Sequence, residues 1–83
     1  MKYVVQTIVA GHTKYWRGFE QYASGYRDTF TGWSLKIADA KVFDVKDDAS
    51  DDITYIADFY NTYHYTVREI TEEELFELKL KGI

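Results

Sequence analysis

Few side chains in this sequence could carry chemistry. The chain has two histidines, His12 and His64, and no cysteine. The segment around His12 has turn character, and the segment around His64 has the alternating pattern of a strand. Neither histidine has the spacing of a helical zinc motif. Without thiolates, a disulfide framework or a thiolate zinc site is excluded. The sequence therefore predicts no catalytic residues, no metal and no cofactor.

Carboxylates are concentrated between residues 44 and 58, where only Lys46 opposes them. Counting Asp44 as the first position of a calcium-binding loop puts Ala49 where glycine is needed and Tyr55 where glutamate is needed. Two interpretations remain. The acids either begin a helix, where they suit capping and the dipole, or form a row that imitates a phosphate backbone and binds a basic groove. The candidate binding residues are Asp47, Asp48, Asp51 and Asp52.

An aromatic and basic segment precedes these acids. Bases stack on aromatic rings and cations contact phosphate, so residues 14–19 have some character of a nucleic-acid surface. Arg17-Gly18-Phe19 opens like an RNA-recognition signature, but residues 20–22 depart from it. Because the net charge of −4 disfavours a phosphate-rich partner, the segment indicates a protein interface instead, where Tyr, Trp and Arg are enriched. The candidate residues are Tyr15, Trp16, Arg17, Tyr26, Arg27 and Trp33.

Length and composition predict one domain over residues 1–83. The chain has fifteen aromatic residues, whose packing can replace disulfides as a source of stability. Residues 1–38 carry five bases and two acids, whereas residues 39–83 carry five bases and twelve acids. No apolar run is long enough to span a membrane and the first residues do not resemble a signal peptide, so we expect a cytoplasmic protein.

The apolar pattern predicts an α+β fold, with a small antiparallel sheet of three to five strands on one main helix and a short C-terminal helix. Strands are expected at residues 3–9, 14–22, 29–33, 41–45 and 63–70, with a helical turn over 35–40 capped by Ser34. The main helix should begin at Asp47 or Asp48 and end near residue 61. Thr71 and Glu74 form a capping box for the last helix, which should end at Gly82. Tyr60 and Phe76 are expected in the core.

Residues 32–43, Gly-Trp-Ser-Leu-Lys-Ile-Ala-Asp-Ala-Lys-Val-Phe, precede an acidic turn and a helix. This run, together with the first strand, resembles a pattern of small uncharacterised proteins of bacteriophages and mobile elements. The resemblance covers about half of the chain and transfers no functional residues. It implies an accessory protein made in a bacterial host, and some such proteins inhibit host defences, including CRISPR nucleases and restriction enzymes.

These observations favour a non-enzymatic protein that binds and modulates or inhibits a bacterial host protein or nucleoprotein complex, such as a defence nuclease. A small nucleic-acid-binding regulator that uses the basic, aromatic first half is the first alternative. An unrecognised enzyme is the second. The sequence leaves a homodimer open, and it predicts no membrane partner.

Overall fold

A computed structural model describes residues 1–18, 32–59 and 64–82. Its centre is a four-stranded antiparallel sheet in the order β3-β2-β1-β4. The strands are β1 (Lys2–Val9), β2 (His12–Trp16), β3 (Trp33–Ser34) and β4 (Tyr65–Ile70). Two helices, α1 (Lys46–Phe59) and α2 (Glu72–Lys81), and a 3-10 turn (Ile37–Asp39) complete the fold. The α+β prediction, with one main helix and a short C-terminal helix, is confirmed.

Strand β1 lies between β2 and β4 and organises the sheet. It joins β2 through Ala10 and Gly11, whose φ angles of 51° and 80° are both positive. Positive φ at both loop residues is the geometry of the tightest hairpin turns, and it matches the twist of the strands. Gly11 adopts this geometry without strain, because it has no Cβ. The predicted hairpin is therefore present, with its second strand ending at Trp16 among the described residues.

Both faces of the sheet are covered, because neighbouring residues of β1 point to opposite sides. Val5 packs with Phe43 and with Ala49 and Ile56 of α1. Val4 packs on the other side, in a cluster completed by Ile37, Ala40, Ile70 and Leu75. The core is thus two thin apolar layers, one on each face of a single sheet.

Local sequence signals explain both helices. Helix α1 has Asp47 and Asp48 in its first turn, where carboxylates suit the positive end of the dipole. The Thr71 hydroxyl accepts a hydrogen bond from the Glu74 backbone N–H at 3.1 Å. This is one of the two hydrogen bonds that define the predicted capping box. Gly82, with φ of 68°, ends α2 in the left-handed conformation.

Several details of the sequence prediction are wrong. Phe76 is 64% exposed and does not belong to the core, because α2 turns Leu75 and Leu78 toward the sheet instead. Residues 41–45 do not form a strand, since only Phe43 pairs, through an isolated bridge to Tyr3. Tyr60 lies outside the described residues.

The boundaries around β3 also differ from the prediction. Of the strand expected over residues 29–33, the structure describes residues 32 and 33, and β3 itself is Trp33–Ser34. Ser34 does not cap the following turn, which begins after Lys36 without a side-chain cap. The Ser34 hydroxyl instead accepts from the Lys36 backbone N–H and donates to Asp39. Helix α1 begins at Lys46, one residue before the predicted start.

Candidate partner-binding surface

Trp16, one of the six residues predicted for the aromatic and basic patch, is part of the core. Trp16 is 1% exposed, and its indole N–H donates to the Asp52 carboxylate at 3.0 Å. The Lys41 ammonium lies 3.6 Å from the same carboxylate, whose side chain is only 15% exposed. Trp16 is therefore not available to a partner. Asp52, predicted as a binding residue, positions the indole instead.

Trp33 continues this aromatic packing across the sheet. Its ring lies 5.3 Å from the Trp16 ring and stacks on Tyr65 at 5.8 Å with an interplanar angle of 19°. Because β3 and β4 are at opposite edges of the sheet, the two side chains reach toward each other over β2 and β1. Thr7 of β1 is buried, and its hydroxyl donates to the His64 carbonyl at 2.7 Å. Trp33 is half-buried and stabilises the sheet.

Among the described residues of the predicted aromatic and basic patch, Tyr15 does not share a surface with Trp16. Tyr15 packs on the cluster that contains Val4, on the sheet face opposite Trp16. Arg17 is partly buried, and its backbone N–H donates to the Gly32 carbonyl at 2.8 Å. Tyr26 and Arg27 lie outside the described residues. Strand alternation already separates Tyr15 from Trp16, and the sequence interpretation did not apply it to this pair.

Three of the four predicted acids, in contrast, do share a surface. Asp47, Asp48 and Asp51 are exposed on the first half of α1, and Asp44 is exposed on the segment just before it. Asp44, Asp48, Asp51 and Asp52 border a shallow cleft of about 400 Å³ between this segment and the helix. Among the described residues, no salt bridge includes Asp47, Asp48 or Asp51. We call Asp44, Asp47, Asp48 and Asp51 the acidic surface.

Tyr55 was missed by the sequence interpretation, although it adjoins the acidic surface. It follows Asp48 and Asp51 at seven- and four-residue spacing, so the three share one side of α1. Its side chain is 63% exposed, and Val45 at the start of the helix is exposed as well. The same periodicity that predicts the buried side at Ala49 and Ile56 would have placed Tyr55 about 100° around the helix from Ile56, outside that side. It adds to the charged surface an aromatic side chain, a type that is enriched at interfaces.

Lys2 connects the acidic surface to the start of α2. Its ammonium forms salt bridges with Asp44 and, at 3.5 Å, with Glu72. The hydrogen bond from Lys2, followed by its charge, lowers the pKa of Asp44 below the usual aspartate range. The hydrogen bond to Asp44 is likewise the largest cause that raises the pKa of Lys2, ahead of the opposing effect of burial. A carboxylate from the segment before α1 and one from the first turn of α2 thus meet at Lys2.

We predict that Lys2→Met moves the pKa of Asp44 back up toward its usual value, as followed by an NMR titration of the carboxyl resonance. A lowered carboxyl pKa means that the contact stabilises the fold above the usual aspartate pKa and is lost as pH falls through the lowered one. The contribution of Lys2 has the opposite sign, since it is lost as pH rises through the raised lysine pKa. Lys36→Met, at an exposed lysine, serves as the control and should leave Asp44 unchanged. An Asp44 pKa that is identical in wild type and Lys2→Met would contradict the contact.

The described residues offer no group of three or more His, Cys, Asp and Glu side chains that could hold a metal ion. His12 and His64 are both exposed. In this part of the chain, no helix is long and apolar enough to cross a membrane.

No family model, curated protein or solved structure matches the chain significantly.

Proposed function

We propose that this chain is a non-enzymatic binding protein whose acidic surface binds the basic, nucleic-acid-binding surface of a bacterial host protein or nucleoprotein complex and so modulates or inhibits it. The observation that carries the proposal is the exposure of Asp47, Asp48 and Asp51 on one helix without a salt bridge to any described residue. Charges that no described residue neutralises remain available to a partner.

The placement of the acids supports this proposal beyond their number. Asp47 and Asp51 lie one helical turn apart, as do Asp48 and Asp52, so the carboxylates are held in a fixed array by a helix that is itself anchored on the sheet. A rigid array loses little conformational freedom on binding. Tyr55 offers an aromatic anchor beside the carboxylates. Charge complementarity would steer association with a basic groove and make its rate dependent on salt.

The sequence resemblance suggests where to look for the partner. An accessory protein of a bacteriophage or mobile element acts in a bacterial cytoplasm, and nucleases of host defence systems, such as CRISPR nucleases, have the basic grooves that a phosphate-like surface would occupy. We therefore propose this class of host protein as the first one to test.

The test uses the full chain as bait in a bacterial lysate, followed by affinity measurements with the purified partner. The informative variant is Asp48→Asn, Asp51→Asn, because both side chains are exposed whereas Asp52 holds Trp16. We expect its affinity to fall about 10-fold or more at low salt and by less at moderate salt. The free energy of unfolding should change by no more than about 1 kcal/mol, since only capping and dipole effects are altered.

A matched control removes the same charge elsewhere. Glu69→Gln, Glu77→Gln alters two exposed acids on β4 and α2 and should leave the affinity unchanged. DNA or RNA that fits the partner should compete with the wild-type chain for the same groove. Equal affinities for wild type and the Asp48, Asp51 variant at both salt concentrations would exclude the acidic surface. Tight binding of the wild-type chain to labelled DNA or RNA alone would favour the nucleic-acid-binding alternative.

A further inference from the structure

A lysine of the chain itself lies in the cleft beside the acidic surface. Lys41 lines this cleft together with four carboxylates, those of Asp44, Asp48, Asp51 and Asp52. Its ammonium is 3.6 Å from the Asp52 carboxylate and 4.9 Å from the centre of the Phe43 ring. An anion and an aromatic face are the partners that any cationic side chain would seek in this cleft. The chain therefore fills that position with its own cation.

Lys41 is held in this position by its backbone and its stem as well as by its ammonium. The backbone N–H donates to the Trp16 carbonyl at 2.8 Å. The stem passes close to Gly18, where a Cβ would lie 2.8 Å from the Lys41 Cδ. Gly18 has a φ of 99°, a conformation that favours glycine, so the backbone at this position leaves room for the lysine stem. The ammonium is thus a positioned charge within the cleft.

The carboxylates around the cleft differ in whether their charge is compensated. One oxygen of Asp52, Oδ2, accepts from the Trp16 indole at 3.0 Å and also faces the Lys41 ammonium. Asp48 and Asp51 are exposed and form no salt bridge to a described residue. A second cation that approached Asp52 would meet the ammonium, and like charges repel more strongly in a partly buried cleft than in water. Only the exposed carboxylates therefore attract an incoming cation.

We propose that Lys41 restricts the acidic surface to partners that present several cations side by side, because its ammonium excludes a single inserted lysine or arginine from the cleft. This inference rests on the function proposed above and specifies the chemistry of the partner surface. A groove that binds a nucleic-acid strand carries such a row of cations, since it neutralises several phosphates in succession. A partner that offers one protruding arginine gains little here, because the cleft that would receive it is already occupied.

The first test adds a hexa-arginine peptide to the wild-type chain and follows the protein by two-dimensional NMR. We expect the backbone resonances of Asp47, Asp48 and Asp51 to shift. The indole N–H resonance of Trp16 should stay in place, because the indole is bonded to Asp52, which Lys41 protects. Methylguanidinium, a single cation, should shift none of these resonances at the same concentration of charge. A shift of the Trp16 indole resonance caused by either probe would overturn the proposal.

The second test uses Lys41→Met, which removes the charge but retains an unbranched stem beside Gly18. We expect the dissociation constant of the peptide to fall about 5-fold or more at low salt, and the Trp16 indole resonance to shift as the peptide enters the cleft. Lys36→Met is the matched control, because Lys36 is exposed and does not line the cleft. It should change the affinity by less than about 2-fold and leave the indole resonance in place.

Equal affinities of Lys41→Met and Lys36→Met for the peptide would overturn the proposal. The dispersed Trp16 indole resonance before the peptide is added verifies that each variant is folded, and Lys41→Gln repeats the test with a polar side chain. The wild-type titration requires no variant at all. Because both probes are synthetic, these results do not depend on a host partner. Binding of the host partner by Asp48→Asn, Asp51→Asn tests the acidic surface, whereas entry of the peptide into the cleft tests Lys41 alone.

Discussion

Trp16→Ala is expected to lower the free energy of unfolding by about 3 to 5 kcal/mol, the usual cost of deleting a large buried aromatic side chain. Trp16 is one of the largest fully buried side chains in the described part of the chain. It belongs to the cluster that holds α1 on the sheet. A domain of this size has roughly 4 to 12 kcal/mol of stability in total. Denaturant titration should therefore find the variant marginally folded or unfolded. A loss below about 1 kcal/mol would mean that the indole is not in the core.

Trp16→Phe separates the packing of the ring from its hydrogen bond. The phenyl ring retains part of the apolar contact but cannot donate to Asp52, which is then left with Lys41 as its only partner among the described residues. Losing a hydrogen bond to a charged group costs about 1.5 to 3 kcal/mol. Asp52→Asn retains an oxygen acceptor for the indole and should cost less than Trp16→Phe, as measured in the same titration.

The elements that the sequence predicts well are those with local causes. The β1–β2 hairpin, the capping of α2 by Thr71 and its termination at Gly82 depend on residues within a few positions of one another. The burial of Ala49 and Ile56 follows from helical periodicity alone. In each case the chain neighbours that determine the structure are visible in a short window of sequence.

The errors come from contacts between distant parts of the chain. Asp52 is bonded to a tryptophan 36 positions earlier, and no local pattern distinguishes it from the exposed Asp51. Phe76 is the largest apolar side chain of α2. The orientation of the helix is nevertheless set by Leu75, which packs against Val4 and Ile70. Both faces of the sheet are covered, so alternation separates Tyr15 from Trp16 without telling which of them is buried more deeply.

The candidate binding surface was predictable only in part, because its exposure has a local cause and its lack of salt bridges does not. Asp47, Asp48 and Asp51 are exposed because helical spacing turns them away from Ala49 and Ile56, and this can be derived from the sequence. Their lack of salt-bridge partners among the described residues depends on where the lysines lie in three dimensions. The sequence could therefore predict an acidic row but not which of its charges remain available.

Ile56→Ala is expected to cost about 2 to 5 kcal/mol, the range for truncating a buried aliphatic side chain with partial collapse of the cavity. Ile56 is 1% exposed and, with Ala49, is one of the two buried residues of α1 among its described side chains. Ala49 has little side chain to contribute and Ile53 is only partly buried, so Ile56 is the largest buried apolar side chain in the described part of this helix. Since α1 also carries the acidic surface, the variant should lose affinity for the host partner together with stability.

Ile8→Ala provides the matched control, because it removes the same atoms from a side chain that is 65% exposed on β1. We expect a loss below about 1 kcal/mol, as is usual for surface positions, and no change in partner affinity. Both variants are compared by denaturant titration, with affinity measured well below the unfolding transition. If Ile56→Ala and Ile8→Ala lost the same small amount of stability, α1 could not be anchored through Ile56, and the acidic surface would lack the rigid support on which its complementarity to a basic groove depends.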